Sequence, residues 1–219
     1  MMKWIEQLFE EGKNNMPKLL LFVEKKNPIL REVMPEVQNF ADPALHEIIK
    51  DMCYSILPAQ LKAAKGAHES AAGMAANQWG IKKRVFLFTP EGSGEDKILE
   101  IMINPSYVPY LRPGEKTPEM VAAYEGCFSV PLTTGIVNRY DAIIATYYNT
   151  AGEKIECLME GWEARVFQHE TDHLNGKLFD GALDNYAGPE CLERVIFKDE
   201  NEMENFWENK VKPERNDQE

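Results

Sequence analysis

The segment HETDH, residues 169–173, places two histidines four positions apart, with a glutamate directly after the first. On a helix, residues i and i+4 lie on the same face, so the imidazoles of His169 and His173 can point at one metal ion. Glu170 lies about 100° further round the helix, outside the ligand positions but within reach of a water on the metal. This division into two ligands and one general base predicts a metal-dependent hydrolase.

The third ligand of this predicted site is not evident from the helix itself. A catalytic tetrahedral site takes three protein ligands and keeps one position open. No His or Glu follows His173 at the spacing of extended zinc-protease motifs, because the next residues are LNGK. The candidates elsewhere are His46, His68, a cysteine or a carboxylate. The segment EGCFS (125–129) has the most suitable local context, since a glycine frees the backbone beside Cys127 and polar residues flank it.

Bulk composition narrows the class of protein. The chain has 219 residues and a net charge of -12, which opposes binding to nucleic acid or an anionic membrane surface. Its four cysteines are widely spaced, which favours reduced thiols, and three of them stand among apolar residues that suggest core positions: Cys53, Cys157 and Cys191. The N-terminus lacks a signal-peptide pattern and no apolar run is long enough to span a membrane, so the sequence predicts a cytoplasmic protein.

Around the HETDH segment, the sequence pattern predicts strands mixed with a few helices. Without regular βαβ alternation, this order favours an α+β fold with antiparallel or mixed sheets. Helices are predicted near the N-terminus, after Asp42-Pro43, over 162–174 with a stop at Asn175-Gly176, and over 190–209. Strands are predicted at 85–88, 98–103, 143–148 and 156–159, with the second ended by Asn104-Pro105.

Three segments in this order resemble the motifs of one known family. They are GMAANQ (73–78), EGCFS (125–129) and QHETDHLNG (168–176), and together they resemble peptide deformylase over roughly residues 25 to 180. The resemblance implies an α+β fold, with antiparallel or mixed sheets packed around a central helix that carries the HExxH motif. The two ends of the chain fall outside this resemblance, so we expect three parts: an N-terminal helical extension (1–16), a metal-dependent catalytic domain (17–185), and a C-terminal helix with a flexible tail (186–219).

The resemblance implies a metal centre and a reaction. Cys127, His169 and His173 would bind one divalent ion, Fe²⁺ in cells, with Zn²⁺, Ni²⁺ or Co²⁺ as alternatives. A metal-bound water would attack the formyl carbon, with Glu170 as general acid and base. The substrate would be the N-formylmethionyl end of a newly made polypeptide, and ribosome association is a further expectation. The sequence carries no pattern that defines an oligomeric state.

The same resemblance assigns the groups that hold the substrate. Gln78 and the backbone N–H of Phe128 would polarise the formyl oxygen. Gly73, with Met74 beside it, would border the site and pair with the substrate backbone. A neutral, directional amide such as that of Gln78 suits the developing charge of a tetrahedral intermediate.

The sequence departs from the family pattern at two positions. Ala71 stands where the family often has Gly, so the local loop geometry would differ. Thr134 stands where many bacterial members have Arg, so a substrate contact made by that Arg would be absent. A separate hypothesis concerns Asp172, which would pair with Arg139 and help to orient an imidazole.

Two readings compete with an active deformylase. One is an HExxH amide hydrolase or peptidase with another substrate. The other is a catalytically silent homologue that acts as a ribosome-binding or interaction module. The intact matching positions argue against the silent homologue. Assays for formate release from a formylated peptide and for cleavage of an unformylated peptide distinguish all three.

Overall fold

In the computed structural model, the helix that carries HETDH lies between two antiparallel sheets. The structure describes residues 16–64, 71–90, 99–180 and 191–211. The α-helices are α1 (Pro43–Ser55), α2 (Pro58–Ala63), α3 (Gly161–Leu174) and α4 (Glu200–Phe206). Single turns of other helix types lie at Pro28–Arg31, Ala76–Trp79 and Trp207–Val211. The strands are β1 (Gly73–Ala75), β2 (Val85–Phe88), β3 (Glu100–Pro109), β4 (Met120–Gly126), β5 (Thr133–Tyr140), β6 (Ala142–Tyr148), β7 (Lys154–Glu160) and β8 (Cys191–Ile196).

The strands form one sheet of five and one of three. The larger sheet has the order β1-β2-β3-β6-β7, and the smaller has the order β4-β5-β8. Neighbouring strands are antiparallel in both sheets. The predicted α+β fold around a central HExxH helix is therefore confirmed.

Helix α3 is enclosed on most of its surface, which is unusual for a helix this polar. Six of its last seven residues are buried, including Gln168 and Glu170, and the exception is His169. The side chain of Gln168 pairs with the backbone of Tyr140 through its oxygen (3.1 Å) and its nitrogen (2.8 Å). These hydrogen bonds satisfy a buried amide and fix the helix to the end of β5.

The predicted stop of α3 at Asn175-Gly176 is confirmed, and the structure explains the glycine. Gly176 has φ +72°, and a Cβ there would lie 2.6 Å from the backbone carbon and oxygen of Arg31. Only glycine fits both the left-handed conformation and this close approach. The N–H of Met34 also donates to the carbonyl of Leu174 at 2.8 Å, so the segment after the first 3₁₀ turn is fixed to the helix end.

Apolar packing holds α3 against the larger sheet. Phe167 meets the ring of Phe86 edge-on, with centroids 5.3 Å apart, and both side chains are fully buried. A second cluster packs α1 on the other side of the sheet, around Leu45, Met52 and Leu87. Truncating a buried phenylalanine such as Phe167 to alanine typically costs about 3–5 kcal/mol, so this contact is a main support of the helix.

The helix predicted after Asp42-Pro43 and the strand predicted at 85–88 are confirmed. The next strand was predicted to end at Asn104-Pro105, and that prediction was wrong. β3 continues to Pro109, because Asn104 takes φ +53° and the register shifts there. Such a bulge accommodates a proline that cannot donate to the ladder. The Asn104 side chain also pairs with both backbone groups of Val37, at 2.8 and 2.9 Å.

The helix predicted over 190–209 was wrong in its first half. Cys191–Ile196 is strand β8, which pairs with β5, and the helix starts at Glu200. The apolar residues that suggested a helical face, Leu192 and Ile196, are 52% and 71% exposed. Pairing along β5 therefore outweighs the helical spacing of this segment.

The structure describes no helix whose length and apolar character would let it cross a membrane. The first fifteen residues, the segment that includes His68, and residues 91–98 lie outside the described residues. The predicted N-terminal helical extension falls on that part of the chain.

Candidate metal centre and substrate cleft

The three predicted metal ligands come together from two elements. Strand β4 ends at Gly126 and delivers Cys127, while α3 delivers His169 and His173. One donor atom from each residue lies within 4.8 Å of the other two. The Cys127 Sγ is 3.2 Å from Nε2 of His173. One sulfur and two nitrogens at this spacing suit a borderline or soft divalent metal with one position left for substrate or water.

Glu125 fixes the orientation of His169. Its Oε2 lies 2.8 Å from Nδ1 of His169, which leaves Nε2 of that ring for a metal. Glu125 also accepts from Nη2 of Arg139 at 2.9 Å and from Nη1 of Arg165 at 2.8 Å. Burial alone would raise the pKa of Glu125, but Arg139 and the hydrogen bond to His169 hold this pKa well below its ordinary value. The carboxylate is therefore ionised and fully paired.

The predicted pairing of Asp172 with Arg139 is present. Arg139 Nη1 donates to Oδ2 of Asp172 at 2.8 Å. The carboxylate that contacts an imidazole is Glu125, however, and Asp172 reaches His169 only through Arg139 and Glu125. Sequence reasoning missed this role of Glu125. The sequence does hold one indication of this role. Glu125 stands two residues before Cys127, and residues two apart on a strand point to the same face.

The histidine environments fit a metal. Burial and the neighbouring His169 charge lower the pKa of His173 well below the ordinary value, which keeps its imidazole neutral, as a ligand must be. Nδ1 of His173 is buried and has no hydrogen-bond partner among the residues described. Burial alone would lower the pKa of His169, but its hydrogen bonds to Cys127 and Glu125 raise it well above the ordinary value. A metal would take the place of the proton between these donors.

Glu170 lies at the floor of the cleft, against Gly73. A Cβ on Gly73 would lie 2.6 to 2.9 Å from Cγ, Oε1 and Cδ of Glu170, so any larger residue would displace the Glu170 carboxyl. Burial raises the pKa of Glu170 to about 7. Its Oε2 is buried and has no hydrogen-bond partner within the described part of the chain. A carboxyl with a near-neutral pKa and a spare oxygen is suited to moving protons.

Gln78 lies opposite the helix, in the 3₁₀ turn Ala76–Trp79. Its Oε1 accepts from the backbone N–H of Ala75 at 2.8 Å, which fixes the direction of the amide. Its Nε2 donates to Ser129 Oγ at 3.1 Å and lies 3.7 Å from Cys127 Sγ. The side chain thus presents an amide donor beside Cys127.

A cleft of about 380 Å³ contains this chemistry. Its lining includes Gly73, Gln78, Cys127, Phe128, His169 and Glu170. Met74 is fully buried in the core and does not border the cleft, so any contact with substrate must come from its backbone. A larger hollow of about 640 Å³ shares only Phe128 with this cleft and borders none of the metal ligands.

The two departures from the family pattern have different structural contexts. Ala71 borders the cleft, so its methyl group lies in the lining where the family often has only a hydrogen. Thr134 is fully buried in β5, where its hydroxyl donates to the carbonyl of Glu125 at 2.7 Å. It supports the strand that carries Glu125 and does not face the cleft.

The other candidate ligands lie away from the site or outside the described residues. His46 lies in α1, where Nε2 is 2.8 Å from the carbonyl of Phe40, and His68 belongs to a segment the structure does not describe. Cys53 is buried, and burial raises the pKa of its thiol, as predicted for a core cysteine. Cys157 and Cys191 are half-buried in β7 and β8, so neither is a full core residue.

Comparisons with known proteins agree with this geometry. Residues 20–187 match the model of the polypeptide deformylase family. Peptide deformylase 1 of Bordetella pertussis is 34% identical over 156 residues, which cover 70% of this chain and 81% of that protein. A crystal structure of peptide deformylase from Thermotoga maritima superposes with a TM-score of 0.57 and 33% identity, covering 74% of this chain and 95% of that one.

A third relative was solved with a peptide. The Met-Ala-Ser bound crystal structure of class I type b peptide deformylase from Acinetobacter baumannii has a TM-score of 0.59 and 29% identity. The match covers 75% of this chain and 98% of that one. With the Cys/His/His group in place, the chain therefore belongs to the polypeptide deformylase family, metallohydrolases that remove N-formyl groups from peptides.

Proposed function

We propose that this chain hydrolyses the formyl group from the N-terminal methionine of newly made polypeptides. One observation carries the proposal: Cys127 and His169 line one cleft with Glu170 and Gln78, and His173 completes the three-donor group behind them. These five side chains supply what hydrolysis of a formyl amide needs, namely a metal site, a proton carrier and an oxyanion donor.

Cys127, His169 and His173 would hold one divalent ion. Fe²⁺ is the proposed ion in cells, with Zn²⁺, Ni²⁺ or Co²⁺ as substitutes, because a thiolate with two imidazoles accepts all four. When bound, such an ion lowers the pKa of water toward about 7 and so supplies a nucleophile at neutral pH. The salt bridges of Glu125 keep the ring of His169 turned toward this ion.

Glu170 would carry the proton. Its carboxylate takes a proton from the attacking water and gives it to the amine that leaves when the C–N bond of the formyl amide breaks. The pKa that burial raises to about 7 supports this role, because the group can then accept and release a proton near neutral pH. The close contact with Gly73 restricts where the carboxyl can go.

Gln78 and the backbone N–H of Phe128 would stabilise the oxyanion that forms on the formyl oxygen. The bond from Ala75 N–H to Gln78 Oε1 turns the amide nitrogen toward Cys127. A donor of this kind is worth about 3–4 kcal/mol of transition-state stabilisation. The formyl carbon carries only hydrogen, so a narrow space beside Gln78 suffices for it.

The peptide backbone would pair along β1. This strand is at the edge of the five-stranded sheet, and Gly73 borders the cleft without a side chain. An extended peptide can add to such an edge through backbone hydrogen bonds. Gly73 and the backbone of Met74 are the proposed contacts.

We propose that the chain acts in the cytoplasm on nascent chains and associates with the ribosome. The four cysteines are unpaired, which fits a reducing compartment. The three-part organisation, 1–16, 17–185 and 186–219, remains part of this proposal.

A direct test compares formyl-Met-Ala-Ser with unformylated Met-Ala-Ser, on protein whose metal content is measured in the same sample. We expect formate from the first peptide and no cleavage of the second. Cleavage of Met-Ala-Ser would favour an HExxH peptidase instead. Fully metallated protein that releases no formate would favour a catalytically silent homologue.

A second test addresses the metal. The Cys127 thiolate and an Fe²⁺ ion are both open to oxidation, so Fe²⁺ enzyme should lose activity in air faster than Ni²⁺ enzyme. Equal half-lives would count against iron as the working metal.

A further inference from the structure

Trp207 borders the cleft that contains Cys127, His169 and Glu170, although it comes from the C-terminal segment. It starts the turn Trp207–Val211, directly after α4. The family match ends at residue 187, so this part of the wall is an addition outside the matched region. Trp207 is neither a metal ligand nor an oxyanion donor.

The position of Trp207 is fixed by packing on the cleft itself. The ring of its neighbour Phe206 meets Tyr124 of β4 edge-on at 5.2 Å, and Tyr124 also borders the cleft. Phe206 contacts Phe197 at 5.2 Å as well, and Met203 of α4 is buried. Helix α4 therefore holds Trp207 against the end of β4.

The cleft is lined by both polar and apolar groups. Its polar lining includes Cys127, His169, Glu170 and Gln78. Its apolar lining includes Ala72, Trp162, Val166 and Trp207, of which the two tryptophans are the largest. The indole N–H of Trp207 is buried without a partner among the described residues, so the parts of this ring that can face the cleft are carbon.

An aromatic wall of this kind matches a methionine side chain. Methionine is long, flexible and apolar, and its sulfur makes favourable contacts with aromatic rings. The small side chains of Ala71 and Ala72 leave the space, and the tryptophans limit it. An alanine side chain in the same place would not extend to the wall.

We propose that Trp207 is a specificity-determining residue that contacts the methionine side chain of the formylated peptide. This inference rests on the proposed function. It makes the C-terminal segment part of substrate recognition, while the metal site and the proton transfer stay with residues of the matched region.

The test uses the full-length, metal-loaded protein and two substrates, formyl-Met-Ala-Ser and formyl-Ala-Ala-Ser. The quantity compared is kcat/KM for formyl-Met-Ala-Ser divided by kcat/KM for formyl-Ala-Ala-Ser. In Trp207→Ala we expect this ratio to fall about tenfold, a typical effect of a lost apolar pocket contact. In Trp207→Phe, which keeps an aromatic ring but shortens the wall, we expect about a threefold fall. Leu192→Ala is the matched control, because it removes an exposed apolar side chain from the same segment, away from the cleft.

Binding supplies a second readout that does not depend on turnover. Calorimetric titration with the product Met-Ala-Ser should give a Kd about tenfold weaker in Trp207→Ala than in wild type or Leu192→Ala. If Trp207→Ala folds, a kcat/KM ratio and a Kd that both stay within twofold of wild type would overturn the inference. If Trp207→Ala does not fold, an unchanged kcat/KM ratio in Trp207→Phe would overturn it. Trp207-dependent binding by a wild type that releases no formate would instead reject the proposed function and keep the inference.

Discussion

Two neighbouring residues of α3, His169 and Glu170, are supported in opposite ways. His169 is held from behind by Glu125, whose carboxylate is in turn saturated by Arg139 and Arg165. Glu170 has one oxygen, Oε2, with no partner among the described residues, and its carboxyl occupies the space left by the missing side chain of Gly73. We refer to His169 and the residues that hold it as the ligand face, and to Glu170 with Gly73 as the base face.

The difference follows from what each face has to do. A metal ligand functions best when its ring cannot turn, so hydrogen bonds to Glu125 stabilise the site. A proton carrier needs an unpaired oxygen and a pKa near neutrality, and burial beside a glycine supplies both. Substitutions at the two faces should therefore have different effects. A variant of the base face should lose turnover but keep the metal, whereas a variant of the ligand face should bind the metal more weakly.

The largest effect is expected for Glu170→Ala. Removing the proposed proton carrier should lower formate release by about 10³-fold, within the usual range for general acid–base catalysis. The three ligands are untouched, so metal content should stay at one ion per chain. Glu163→Gln on the same helix is the control and should change neither quantity. Loss of the metal in Glu170→Ala would contradict the separation of the two faces.

Gly73→Ala should be next in size. The new Cβ would overlap the Glu170 carboxyl, so this group must move by a fraction of an ångström or more. Misplacing a catalytic group in this way typically costs about 10²-fold in kcat. Ala71→Gly, which removes a methyl from the same lining, should stay within about threefold, because the Glu170 carboxyl packs on Gly73. Steady-state kinetics with metal analysis measures both, and a fully active Gly73→Ala would refute the crowding argument.

On the ligand face, Glu125→Gln should weaken metal binding by about 10- to 100-fold. The amide keeps the shape but loses the charge that two arginines and His169 require. Competition with a chelator measures the affinity, and activity at saturating metal should recover to within a few-fold of wild type. If turnover fell at full occupancy while affinity stayed unchanged, Glu125 would belong to the base face instead.

The smallest effect is expected for Asp172→Asn. Its carboxylate acts on His169 only through Arg139 and Glu125, and the amide oxygen can still accept from Arg139. We expect metal affinity to fall by about two- to fivefold, well below the effect at Glu125. The same chelator competition measures it. An Asp172→Asn variant as weak as Glu125→Gln would mean that the network acts as one unit.

Much of this arrangement could be predicted from the sequence. Helical spacing places His169 and His173 on one face, and three ordered motifs bring in Cys127 and Gln78. Glu125 was not recognised, because a side chain directed at an imidazole on another element leaves no local signal except its two-residue spacing from Cys127. The strand at Cys191–Ile196 was also missed, since pairing with β5 is a tertiary contact that local periodicity does not reveal. The role of Trp207 depends on how α4 packs, which no motif encodes.

The separation of the ligands along the chain also has a consequence for folding. Cys127 and His173 are 46 residues apart and reach one another only when β4 has docked on α3. The metal site is thus absent from the unfolded chain, and a bound ion stabilises the native state by mass action. The midpoint of thermal unfolding should rise with the concentration of free metal, which makes melting temperature a measure of how much of the protein carries its ion.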